Sequence, residues 1–90
     1  MHIKVKLCSI MRQSANWQEF VDIEANTPRE SLKVLEAKFP DIRKWIYDKK
    51  GEMWPRLQLY INGEIIYADE FNRNLKDGDE LFVLLNICGG

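Results

Sequence analysis

Polar and apolar residues alternate from the first positions of the chain: Ile3, Val5 and Leu7 are separated by Lys4 and Lys6 and preceded by His2. A period of two is the mark of a strand with one buried face. Cys8 through Asn16 is mostly polar and reads as a turn or loop. Gln18 through Glu24 carries Phe20, Val21 and Ile23 and predicts a second strand, paired with the first as a hairpin. Thr27-Pro28-Arg29-Glu30 then opens a helix. Thr27 can accept from the third helical N–H, Glu30 can reach back to the N-cap, and Pro28 sits where its missing donor costs nothing. Leu32, Leu35 and Phe39 share one helical face, and Pro40 ends the run. Asp41 is placed to cap a shorter helical segment through Ile42, Trp45 and Ile46, and Lys49-Lys50-Gly51 is a solvated turn.

Arg56 through Ile61 alternates again, Asn62-Gly63 is a tight-turn dipeptide, and Glu64 through Tyr67 continues past it. Asp77-Gly78-Asp79 makes another turn into a final strand, Glu80 through Leu85. The order is strand, strand, helix, strand, short elements, strand. A mixed sheet of about four to five strands with one main helix packed across it buries every apolar face. The expected class is therefore α+β, a β-grasp (ubiquitin-like) roll with the first and last strands parallel at the sheet centre. Ile3, Val5, Leu7, Leu57, Leu59, Ile61, Leu81 and Val83 would then face Leu32, Leu35 and Phe39.

The last strand feeds Ile87-Cys88-Gly89-Gly90. Glycines lack a Cβ and can thread a slot too narrow for any other residue. They deliver an α-carboxylate, a poor electrophile that ATP can activate as an acyl-adenylate. One domain over 1–90 is expected, with a tail at about 86–90.

Composition removes several other functions. Ninety residues bound a single domain, and a 46% hydrophobic content with three Trp and four Phe is ample for a core. The net charge of −1 leaves no basic excess for nucleic-acid phosphates. No stretch reaches the ~20 apolar residues of a membrane span, and the alternating N-terminus is not a signal peptide. A cytoplasmic protein is expected. Cys8 and Cys88 are too far apart in sequence for zinc spacing and are expected as free thiols.

Three segments together resemble the MoaD/ThiS-type ubiquitin-like sulfur carriers, whose best-known member is the small subunit of molybdopterin synthase. They are Leu57-Gln58-Leu59-Tyr60-Ile61-Asn62-Gly63-Glu64, Leu75-Lys76-Asp77-Gly78-Asp79-Glu80-Leu81 and Gly89-Gly90. Phe39-Pro40-Asp41-Ile42-Arg43 and Asp48 through Pro55 fit the same pattern, so the resemblance spans nearly the whole chain. It departs at Leu85-Asn86-Ile87-Cys88, where molybdopterin-making members often carry two prolines and a small apolar pair.

The resemblance implies a carrier and not an independent enzyme. An adenylating partner of the MoeB/ThiF type would use Mg-ATP to adenylate the Gly90 carboxylate. A sulfur donor would displace AMP, and the Gly90 thiocarboxylate would pass its sulfur to the larger molybdopterin synthase subunit or another acceptor. Gly89 would pass the activating channel. The chain has no Gly-rich phosphate loop and is expected to bind no cofactor or metal itself. Carriers for thiamine, cysteine or tRNA thiolation, a protein modifier joined through Gly90 to a lysine, and a β-grasp binding module with an inert tail are the alternatives.

Strand parity names a partner surface. With Leu59, Ile61, Leu81 and Val83 inward, Tyr60, Phe82 and Leu84 point outward, and contiguous exposed apolar groups mark association sites. Ile87 and Cys88 would flank the entering tail. Nothing in the adjacent sequence supplies the electropositive setting a reactive Cys88 requires. His2 has no triad partners, Trp45 and Trp54 read as a satellite cluster, and Asp77, Asp79 and Glu80 read as turn chemistry.

Overall fold

Both ends of the domain meet in the middle of one sheet. In the computed structural model, which describes residues 1–86, β1 (His2–Leu7) runs parallel to β5 (Glu80–Leu85), with Val5 opposite Leu81 and Leu7 opposite Val83. β2 (Phe20–Glu24) pairs antiparallel with β1 on the outside. β3 (Leu57–Ile61) and β4 (Glu64–Ile66) complete the order β2-β1-β5-β3-β4. The α+β roll expected from the order of elements is the one observed. Ile87, Cys88, Gly89 and Gly90 lie outside the described residues.

Alternation sorts the sheet into two faces. Ile3, Val5, Leu7, Leu57, Leu59, Ile61, Leu81 and Val83 are all buried beneath α2 (Pro28–Lys38). Leu32 and Leu35 are buried on the helix side, and Phe39 packs against them half-buried. Truncating a fully buried leucine such as Leu59 in a core of this kind costs about 2–5 kcal/mol.

The helix start follows its sequence with one change. Thr27 Oγ1 accepts from Glu30 N–H at 3.0 Å. The Glu30 carboxylate reaches one residue further back than the N-cap, and accepts from Asn26 N–H at 2.8 Å. Asp41 does not cap a second helix. Phe39 stands at the N-cap of the 3-10 turn Pro40–Ile42 and Ile42 at that of α3 (Arg43–Ile46), neither with a side-chain bond, and Asp41 lies inside the 3-10 turn.

The segment Cys8–Asn16 is more than a loop. Its first residues form α1 (Ser9–Arg12), and Met11 and Ala15, four apart, are both fully buried. Two apolar residues at helical spacing are a faint signal among polar neighbours. Phe71 and Leu75 likewise close the core from an irregular stretch.

Two turns hold the strands in register. Asn62 and Gly63 both take positive φ, 50° and 88°, as a two-residue hairpin loop requires. Asn62 Oδ1 accepts from Glu80 N–H at 2.9 Å, and its Nδ2 donates to Asp79 Oδ1 at 2.9 Å. Asp79 Oδ2 accepts from Lys76 N–H at 2.8 Å. In the same turn Asp77 accepts from His2 N–H at 2.7 Å and Gly78 N–H donates to His2 O at 2.8 Å. The turn before β5 thus grips both the start of β1 and the β3–β4 hairpin.

The Lys76 backbone N–H, and after it the Asn62 amide, hold the Asp79 carboxyl below its ordinary value of 3.8, against the opposing effect of burial. A carboxyl with a lower pKa folded than unfolded stabilises the fold above its unfolded value. That contribution disappears as the pH falls through the folded value. Asp79→Asn is expected to cost about 1 kcal/mol at neutral pH. The gap to the unsubstituted protein should narrow only below pH 3.8. Urea unfolding at neutral pH and at about pH 2 checks both halves.

Candidate functional site

The outward face of the sheet carries a row of side chains that crosses every strand. Lys6 stands opposite Phe20 on one side and Phe82 on the other. Phe82 faces Tyr60, and Tyr60 faces Ile65. The row Phe20-Lys6-Phe82-Tyr60-Ile65 therefore runs β2-β1-β5-β3-β4. Leu84, beside Gln58, adds a second apolar position on β5.

Within the row the rings of Tyr60 and Phe82 lie 5.8 Å apart, tilted by 32°. Lys6 Nζ sits 5.1 Å from the centre of the Phe82 ring, and Lys4 Nζ sits 4.7 Å from that of Phe20. Cations so placed cover ring faces while their own charge stays wet. The result is a half-buried band, with Tyr60, Phe82, Leu84 and Ile65 all partly accessible and Phe20 exposed. Parity placed Tyr60, Phe82 and Leu84 on this face. Phe20, Lys6 and Ile65 join them through cross-strand register, which no single segment of sequence contains.

β5 also fixes where the chain leaves the sheet. Asn86 N–H donates to Arg56 O at 2.9 Å, one step past the pairing of Leu85 with Leu57. Ile87, Cys88, Gly89 and Gly90 follow that point outside the described residues. Cys8 lies at the same end of the sheet, buried, with its N–H bonded to Val83 O at 3.2 Å. His2 is at the opposite end, its side chain half exposed beside Asp22 and Glu24. Among the described residues no cluster of three His, Cys, Asp or Glu side chains is arranged to hold a metal ion. No helix among them is long and apolar enough to cross a membrane.

Trp45 and Trp54 stand together beside this exit. They line an open groove of about 540 Å³ with Lys44, Pro55, Arg56 and Leu85. Trp54 Nε1 donates to Lys44 O at 2.9 Å, and Trp45 Nε1 donates to Ser14 Oγ at 2.9 Å. Ser14 passes the chain on by donating to Asp41 Oδ2 at 2.8 Å, and Lys44 Nζ pairs with the same oxygen at 3.2 Å. The Ser14 hydroxyl, and after it Lys44, hold the Asp41 carboxyl below the ordinary carboxylate range. Leu85, a core position by parity, thus also forms part of a surface groove.

The model of the ThiS family matches residues 5–90. No curated protein sequence matches the chain. Among solved structures, small archaeal modifier protein 1 from Methanosarcina acetivorans is 27% identical, with a TM-score of 0.82 over 99% of this chain and 96% of that one. A chain of the Amycolatopsis orientalis BexX/CysO complex is 24% identical, with a TM-score of 0.81 over 98% and 99%. A chain of the complex of subunits 1 and 2 of the molybdopterin-converting factor from Helicobacter pylori is 23% identical, with a TM-score of 0.67 over the full length of both.

Ser14 is the joint between the groove wall and the rest of the domain. Ser14→Ala is expected to cost about 1–2 kcal/mol, because it leaves the Trp45 indole N–H without its acceptor, while Asp41 Oδ2 keeps Lys44. It should also raise the Asp41 pKa toward its ordinary value. Thermal unfolding checks the first effect, and an NMR titration of the Asp41 carboxyl checks the second.

Proposed function

The chain belongs to the ThiS family, and we propose that its function within that family is to carry sulfur on the carboxyl group of Gly90. The observation that carries this reading is the path of β5. It runs at the centre of the sheet beside β1, and its last described residue is still pinned to Arg56. The tail therefore starts from a fixed point at the rim of a rigid domain. A partner that docks on the domain gains a defined position for a reactive end, and positioning of that kind is worth a large part of a reaction barrier.

The chemistry belongs to the tail and to its partners. A Gly90 carboxylate oxygen attacks the α-phosphorus of ATP, held with Mg²⁺ by an adenylating enzyme of the MoeB/ThiF type, and pyrophosphate leaves. The terminal sulfur of a persulfide on the donor attacks the Gly90 carbonyl carbon, and AMP leaves. A thiol then attacks the donor's sulfur in the resulting acyl disulfide and breaks the S–S bond. Gly90 keeps one sulfur as a thiocarboxylate, and the donor and thiol are left joined as a disulfide. Gly89 and Gly90 act as the residues that fit the narrow channel and hold the reacting carbon. Tyr60, Phe82 and Leu84 supply the docking face on the sheet, and Ile87 and Cys88 supply contacts along the tail.

The acceptor we favour is the larger subunit of molybdopterin synthase, in molybdenum or tungsten cofactor biosynthesis. Full-length likeness to a subunit of the Helicobacter pylori molybdopterin-converting factor supports it. Likeness to the archaeal modifier protein supports a second reading, in which Gly90 is joined to a lysine of another protein. A conjugate that survives thiol reductant would favour that second reading.

Intact mass after incubation with an adenylating enzyme, Mg-ATP and a persulfide donor tests the carrier reading. Replacement of one oxygen by sulfur at Gly90 is the expected result. Absence of both adenylate and sulfur, with enzymes active on their own carriers, would overturn it. Gly89→Ala is expected to slow loading while leaving the unfolding midpoint unchanged. Phe82→Ala is expected to raise the KM for the adenylating enzyme roughly tenfold with little change in kcat, as loss of one central docking aromatic should.

A further inference from the structure

The Trp45–Trp54 groove presents ring surface where its polar groups are already engaged. Both indole N–H groups are spent inside the domain, on Ser14 Oγ and Lys44 O. The rings are thereby fixed, and what they offer the groove is ring surface, with Lys44 Nζ 5.1 Å from the centre of the Trp45 ring. Pro55 and Leu85 add two more apolar walls, and Trp54 remains 38% exposed. The polar chemistry left is cationic. Lys44 and Arg56 line the groove, and no acidic side chain among the described residues does. Asp41 pairs with Lys44 from outside the groove, but both side chains are more than half exposed, so that pair can be exchanged for another at little cost. Arg56 forms no ion pair among the described residues.

We infer that this groove docks a partner's acidic segment, taking one large apolar side chain between the two tryptophans and flanking carboxylates against Lys44 and Arg56. The inference deepens the carrier reading by naming a second contact for a partner that engages the tail, and its test does not depend on that reading. The groove and the tail's point of departure share one wall, since Arg56 O holds Asn86 N–H and Leu85 lines the groove. A partner that reaches the tail therefore passes this site. Arg and Trp are also the residue types that most often anchor such contacts. A nucleotide strand would use the same rings for stacking, but the net charge of −1 opposes it.

NMR titration of the full chain with three blocked tripeptides, acetyl-Glu-Phe-Glu-amide and its Gln and Lys counterparts, tests the inference without any enzyme. Shifts at the Trp45 and Trp54 indole N–H and at Leu85 are expected, with the acidic peptide bound roughly tenfold more tightly than the basic one. Trp54→Ala should abolish the shifts. Lys44→Glu combined with Arg56→Glu, both exposed and compatible with folding, should reverse the order of the peptides. Equal affinity for all three peptides, shifts confined to Tyr60 and Phe82, or preference for a single-stranded oligouridylate would overturn the inference. If deletion of residues 87–90 alone moves both indole signals and tightens peptide binding, the occupant is the chain's own tail and the inference also fails. Because no adenylation is involved, failure here leaves the mass experiment on Gly90 undisturbed.

Discussion

The parallel pairing of β1 with β5 is the constraint on which the rest depends. Two strands separated by nearly the whole chain must be brought side by side in one register, and loop closure over that length is costly before any contact repays it. The repayment comes from the core residues Val5, Leu7, Leu81 and Val83, and from a set of turn hydrogen bonds. Asp77 takes the N–H of His2, and Asp79 and Asn62 bind each other across to β3. The two turn segments, Asn62-Gly63 and Lys76 through Glu80, make this clasp. The clasp fixes the strand, and the strand fixes the point at Asn86 from which the tail departs.

Because side chains alternate along each strand, that single register decides both faces at once. A slip of one residue between β1 and β5 would carry Phe82 inward and Val83 outward. The core and the aromatic band therefore stand or fall together. The clasp at the far end of β5 from the tail sets the position of Tyr60 against Phe82, even though neither residue touches it.

How much of this was legible follows from where each signal resides. The strands Ile3–Leu7 and Leu57–Ile61 and the Thr27-Pro28 helix start declare themselves within a few consecutive residues, and the structure places them where the pattern put them. Glu30 bonds one residue away from its expected partner, because cap geometry depends on the path of the preceding chain. Met11 and Ala15 were hidden in a polar stretch whose helical spacing is too short to register. Asp41 reads locally as a cap, yet it answers to Ser14, 27 residues away. The same holds for the groove. Trp45 and Trp54 were visible as a pair, but Arg56 and Leu85 join them only through folding. The tail residues Gly89 and Gly90 stand out in the sequence by composition alone, and they lie outside the described residues.

The two outermost strands bear on a different property. β4 offers only three residues, and the exposed positions of β2 include Asp22 and Glu24. A sheet grows by annealing another strand to an open edge, and short or charged edges resist that growth. The domain can thus display an aromatic band across its open face without its margins seeding fibrils.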